Sequence, residues 1–174
     1  MMSALSRAAQ VFDGPRYLEA AVASARFVES RMYEPKTSSL KRRYRDGEAS
    51  IDGMLEDYVF LIHGLLDLFE ASFDSKWLSW AVDLQKRQDQ LFWDAKGGAY
   101  FSTVAGAADV IVGAKEDYDG ADPSPNSVAA MNLLRMWQMT DRREMRDRAD
   151  RTFRAQAAQL TRAGANLPQM AVAL

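Results

Sequence analysis

Acidic side chains gather in one short stretch of this sequence. Lys115 to Met131 holds Glu116, Asp117, Asp119 and Asp122 in a loop that runs straight into a helix. Two carboxyl groups facing one pocket, one protonated and one ionised, can do general acid–base work on a sugar. Glu116 and Asp117 are candidates for such a pair, and Asp57 is the third candidate catalytic carboxylate. Capping competes with this chemistry: Asp122 or Ser124 can cap the helix, with Pro125 in its first turn and the other acids favouring its positive end. Glu116, Asp117 and Asp119 precede the helix by too far for a cap, and solvated loop charge is the alternative for them. Asn126 and Ser127, in the first turn, suit hydrogen bonds to sugar hydroxyls, although both types are common there for backbone bonding alone.

A second polar set opens an earlier helix at Glu56, Asp57 and Tyr58. Helical spacing aligns Glu56, Phe60, His63, Asp67 and Glu70 as one stripe on an otherwise apolar helix. Facing a lumen, such a stripe suits proton abstraction at a sugar carbon. Facing water, it is an ordinary solvated face, and a lone histidine on it is a weak signal. Tyr58, His63, Tyr100, Asp119, Asn126 and Ser127 are therefore the candidate substrate-binding residues. Among the aromatics Trp77, Trp80, Phe92, Trp93, Tyr100 and Phe101, helical spacing favours core positions. Tyr100 is the exception, being placed on a predicted hairpin at the pocket side.

Composition removes several chemistries. With no cysteine, a disulfide framework, a thiol nucleophile and a thiolate zinc site are excluded. His63 is the single histidine. No metal site and no cofactor are expected. Lys plus Arg is 22 against 24 for Asp plus Glu, a net charge of −2, which argues against a nucleic-acid or anionic-membrane surface. No apolar run approaches the ~20 residues of a membrane span. The first residues lack a signal-peptide plan, so the cytoplasm is the expected compartment.

The elements that must position these residues follow from periodicity. Helices are expected over Met1–Phe12, Arg16–Tyr33, Gly53–Phe73, Trp77–Phe92, Pro125–Met139 and Glu144–Arg162. Leu167–Leu174 reads as the first turns of one more. Leu40–Arg45 reads as a short strand ending at Asp46-Gly47. Ala99–Val104 and Asp109–Val112 read as a β-hairpin. The first helix has no start signal, as if cut in its middle. The run from Arg142 to Arg154 alternates charge sign, as an exposed helix does.

A repeat underlies this order. Phe12-Asp13 with Tyr17 matches Phe73-Asp74 with Trp77, and more loosely Thr140-Asp141 with Met145. Tyr17 to Trp77 is a step of 60 residues, and Trp77 to Met145 one of 68. Each repeat is a buried helix, a tight turn, an amphipathic helix and a longer connection. Stacked hairpins of this kind bury each unit's apolar face on its neighbours. The long connections then fall on one side, at the N-termini of the inner helices.

Several motifs carry a family resemblance: Glu56 to Ile62, Gly64 to Ala71, Phe92-Trp93-Asp94, Gly97 to Phe101, Lys115 to Asn132 and Leu167 to Met170. In this order they resemble the helical part of the spermatogenesis-associated, thioredoxin-domain-containing proteins. The resemblance implies an all-α fold of antiparallel helical hairpins, about half of an (α/α)6 toroid, with small β-hairpins on one face. Such toroids are similar to those of N-acylglucosamine 2-epimerases, cellobiose epimerases and six-hairpin glycosidases. Residues 1–174 are expected to form one partial toroid domain, a fragment without the thioredoxin-like domain. Pro125 departs from the family pattern, which has Gly there.

Two functions are expected from this. One is carbohydrate binding or metabolism at the inner-helix mouths, by an isomerase, epimerase or glycosidase-like site that is inactive in the fragment alone. The other is a non-catalytic helical scaffold for a thioredoxin-like partner or another subunit. The partners expected are a carbohydrate and, through apolar edges of the incomplete ring, a second copy in a homodimer. Neither nucleic acid nor membrane is expected. The sugar site requires Asp57, Tyr58, Glu116, Asp117 and Asn126 to face a pocket; side chains turned into capping bonds would defeat it.

Overall fold

The computed structural model describes residues 1–12, 14–104 and 114–174. Two compact units divide the chain, Met1–Arg87 and Gln88–Leu174. The described residues are mainly helical, with one small antiparallel sheet, as the hairpin repeat requires.

In the first unit, α1 (Met2–Phe12) and α2 (Pro15–Arg31) are followed by strands β1 (Tyr33–Glu34), β2 (Ser39–Arg45) and β3 (Glu48–Asp52), then α3 (Leu55–Ser72). α4 (Ser75–Phe92) begins here and continues into the second unit. The strand expected at Leu40–Arg45 is β2. Asp46 (φ 52) and Gly47 (φ 86) turn it directly into β3, with Arg45 opposite Glu48. Two successive positive φ values at such a turn match the right-handed twist of the flanking strands. β3 has no counterpart in the sequence reading, although Glu48-Ala49-Ser50-Ile51-Asp52 alternates polar and apolar residues directly after the Asp46-Gly47 turn.

α3 is the buried axis of this unit. Leu55, Tyr58, Val59, Ile62, Leu65, Leu66 and Leu68 are all withdrawn from water. Each such large side chain contributes on the order of 1.5–3 kcal/mol through burial. The helix ends on Phe73 in the left-handed conformation (φ 54), whose N–H donates to the Phe69 carbonyl.

The second unit contains α5 (Pro125–Thr140), α6 (Arg143–Ala163), a 3-10 turn (Gly164–Asn166) and α7 (Pro168–Ala173). Ala130 of α5 packs with Leu167 and Met170, and Phe153 and Leu160 close over them. α5 ends as α3 does, on a left-handed residue, here Asp141 (φ 54). Phe73 and Asp141 are 68 residues apart, the same step as Trp77 to Met145. The structural repeat therefore aligns Phe73 with Asp141, one residue away from the motif match of Phe73 with Thr140.

The hairpin expected from Ala99 to Val112 is corrected where it can be followed. Ala99–Val104 is not a strand. Gly98 (φ 71) and Ala99 (φ 62) instead turn the chain so that Tyr100 bridges back to Trp93. A side chain at Gly98 would also lie 2.8 Å from the Arg151 carbonyl, so glycine is required twice over. The second expected strand, Asp109–Val112, lies outside the described residues.

Candidate functional site

The start of α3 carries the first candidate group. Asp57 accepts from the Met54 N–H at 2.8 Å, the acidic half of a capping box. Its carboxylate also pairs with Arg42 of β2 at 3.2 Å, and Arg42 reaches Glu56 at 2.5 Å. Burial pushes the Asp57 carboxyl above the usual aspartate range, against the Met54 N–H and Arg42, which favour the charged form. Tyr58 is buried, and its hydroxyl accepts from the Leu40 N–H at 3.0 Å. Both residues thus hold the β2 connection onto the helix start.

The stripe that continues from Glu56 divides in two: Glu56 and Phe60 are 43% and 40% exposed, whereas the part around Asp67 is covered. Ser3 and Arg7, one turn apart on α1, cover its lower half. Ser3 donates to Asp67, and Arg7 binds the same carboxylate at 3.0 Å and Glu70 at 3.8 Å. Asp67 is only 1% exposed, so it is a buried, paired carboxylate rather than a surface charge. His63 stands 3.6 Å from Asp67, about 30% exposed, beside Phe60. Periodicity marked the stripe, but it carries no information on which neighbouring helix lies over it.

In the second unit the candidates form two small structural clusters. Asn126 is fully buried. Its Oδ1 accepts from the Tyr100 N–H at 2.8 Å, and its Nδ2 donates to the carbonyls of Tyr100 (3.1 Å) and Glu116 (3.3 Å). Tyr100 is itself fully buried, with its ring edge-on to Trp93 and its hydroxyl donating to Asp89 at 2.7 Å. A ring so enclosed is core, not a platform for a sugar. Nearby, Ser124 caps α5 by accepting from the Ser127 N–H, and the two hydroxyls lie 3.0 Å apart. Asp119 accepts from the Ser124 N–H (2.7 Å) and from the Gln169 N–H (2.8 Å), fastening the acidic loop to the starts of α5 and α7. Glu116, Asp117 and Asp122 are exposed.

Sequence reasoning passed over the cation at the head of this loop. Lys115 donates to Asp94 at 2.7 Å and to the Gly98 carbonyl at 2.6 Å. It also lies 4.9 Å above the Phe101 ring. The Lys115 hydrogen bond, with backbone N–H groups of Gly97 and Lys96, pulls the Asp94 carboxyl down to about 2. A lowered carboxylate pKa adds stability that is present above the unfolded value of about 3.9 and lost as pH falls through about 2. Lys115→Met should therefore narrow its stability deficit relative to the unmodified chain as pH falls from about 5 to about 2. Urea titrations across that range check this; a deficit independent of pH would contradict the pairing.

Helical hairpins stepped at 60 and 68 residues, with polar residues at the inner-helix starts, define the α/α toroid class of fold. Solved structures of that class agree. A cellobiose 2-epimerase from Spirochaeta thermophila superposes with a TM-score of 0.69 at 18% identity, over 87% of this chain and 40% of that one. A GH76 alpha-mannanase from Bacteroides thetaiotaomicron gives 0.68 at 15% identity, over 89% and 41%. Among curated proteins, the chain is homologous over its whole length to a segment of spermatogenesis-associated protein 20. Identity is 38% with the rat protein and 37% with the human one, over 100% of this chain in both. The mouse protein is 40% identical over 86% of it. This chain spans about a quarter of the length of those relatives, 23% for rat and human and 20% for mouse. No family model matches it. Among the described residues no helix is long and apolar enough to cross a membrane.

Proposed function

We propose that this segment is a non-catalytic helical scaffold within a longer protein of the spermatogenesis-associated protein 20 type. One observation carries the reading: the polar side chains at the inner-helix starts are bonded to backbone of the connections that reach them. Asp57 and Tyr58 hold the β2 connection, Asn126 holds Tyr100 and Glu116, and Asp119 holds Ser124 and Gln169. Groups with their lone pairs and protons already engaged have little left to offer a substrate. A thioredoxin-like domain or another subunit remains the proposed partner of this scaffold.

A carbohydrate role is the second reading, and two facts favour it. Glu116 and Asp117 are exposed on the loop entering α5, and the structural neighbours include an enzyme named for cellobiose. The two readings separate in a thermal-shift screen of the 174-residue chain against cellobiose, mannose and their oligomers. The scaffold predicts an unchanged melting temperature with each sugar. A saturable rise that Glu116→Gln or Asp117→Asn removes would establish the carbohydrate reading instead.

A further inference from the structure

Four Asp-Gly pairs occur in the chain: Asp13-Gly14, Asp46-Gly47, Asp52-Gly53 and Asp119-Gly120. In such a pair the aspartate side chain is open to attack by the next main-chain nitrogen, because glycine puts no side chain in the way. Asp13 lies outside the described residues, so three pairs can be compared.

Two of the three are held on both sides of the reaction. The Asp52 carboxylate binds Lys41 at 2.6 Å, and the Gly53 N–H donates to the Leu40 carbonyl at 2.8 Å. The Asp119 carboxylate accepts from the Ser124 and Gln169 N–H groups, and the Gly120 N–H donates to the Asp122 carbonyl at 3.0 Å. Asp46 differs on both counts. It forms with Gly47 the whole turn between β2 and β3. Its side chain is 87% exposed and meets Arg45 Nε at 3.2 Å, and Arg45 is itself 74% exposed. An ion pair that open holds neither group firmly. No hydrogen bond among the described residues engages the Gly47 N–H. No atom lies within 4 Å of where a Gly47 side chain would stand.

We propose that Asp46 is a modification site, at which the chain converts its own aspartate to isoaspartate. The Gly47 nitrogen bonds to Cγ of Asp46 and loses its proton. The carboxyl group loses an oxygen with it, so one water leaves and a five-membered succinimide forms. Water then adds back at either ring carbonyl. Opening at the side-chain carbonyl restores aspartate. Opening at the main-chain carbonyl leaves Gly47 joined through the side-chain carbon, which is isoaspartate of unchanged mass. No oxidant, metal or further reactant is required. The product has one more atom in its main chain. Loop length fixes the register of a hairpin, so the lengthened turn no longer sets Arg45 opposite Glu48. The strand affected is β2, which carries Arg42 to Glu56 and Asp57. The freed main-chain carboxylate is the group that isoaspartate-specific methyltransferases esterify, and an enzyme of that class is the partner this site would take.

The test ages the 174-residue chain for several weeks at neutral pH and body temperature. Isoaspartate is then counted by methyl transfer from labelled S-adenosylmethionine and placed by electron-transfer mass spectrometry of tryptic fragments. The amount at Asp46 should exceed that at Asp52 and at Asp119 about tenfold, because hydrogen bonds must be broken before either of those can react. Asp46→Glu, whose ring would need six members, should remove the signal from that fragment. Equal or greater accumulation at Asp52 or Asp119 would overturn the proposal. So would its absence at Asp46 over a time in which the free peptide 44–50 forms it.

Discussion

Replacing Asn126 by alanine is expected to be the most damaging single change in the polar rim, costing about 3–5 kcal/mol. The side chain makes three hydrogen bonds in a fully buried position, to Tyr100 N–H, Tyr100 C=O and Glu116 C=O. Alanine removes this partner from the buried Tyr100 N–H and carbonyl, and losing a partner in such a place costs about 1–3 kcal/mol per group. For a chain of this size that corresponds to a fall in Tm of roughly 10 °C. Asn126→Asp separates hydrogen bonding from shape. It keeps the acceptor for Tyr100 N–H but sets a carboxylate against two carbonyl oxygens. Its pKa should rise, so its stability should recover as pH falls, the opposite sign to Asp94. Scanning calorimetry at two pH values checks both variants, and a loss below 1 kcal/mol for Asn126→Ala would show that the bonds are dispensable.

Arg7→Ala should cost about 2 kcal/mol, although Arg7 is itself 56% exposed. The damage falls on Asp67, which is 1% exposed and loses its fully charged partner, keeping Ser3 and His63. Removing one member of a buried pair costs about 3–5 kcal/mol, and solvent around Arg7 reduces that figure. Asp67→Asn keeps an acceptor for Ser3 and needs no cation. The double variant should therefore be more stable than Arg7→Ala alone, giving a favourable coupling in a double-mutant cycle by urea unfolding. Strict additivity would mean that Arg7 and Asp67 do not act as a pair.

The repeat was legible because it is written in residue types that physics restricts. Large apolar groups at helical spacing fixed α3 and α5. The steps of 60 and 68 residues were readable from aromatic and methionine positions alone, and the left-handed Phe73 and Asp141 obey the second of them. What stayed hidden was direction. Periodicity showed that Glu56, His63, Asp67 and Glu70 share a face, but whether water, a lumen or α1 lies opposite is a tertiary fact. Asn126 shows the same limit at one residue. An asparagine in a first turn suits a sugar hydroxyl and a backbone amide equally, and only the approach of Tyr100 decides between them. Tyr100 was misplaced for a local reason. Ala99–Val104 has strand composition, but the left-handed Gly98 and Ala99 fold it back on Trp93 and bury its ring.

The acidic loop from Lys115 to Asp122 divides along the same line. Lys115 and Asp119 face inward and hold neighbouring backbone, while Glu116 and Asp117 face water. A rim built in this way brings long connections onto helix starts without spending exposed acids on the fold. Glu116 and Asp117 are therefore where a sugar-binding role would be detected.

An NMR titration of the 174-residue chain with mono- and disaccharides follows that loop residue by residue. The scaffold account predicts unchanged amide shifts for residues 94–101 and 114–127 up to millimolar sugar. Saturable shifts at the Glu116 and Asp117 amides, with the Asn126 side-chain amide moving alongside them, would contradict it.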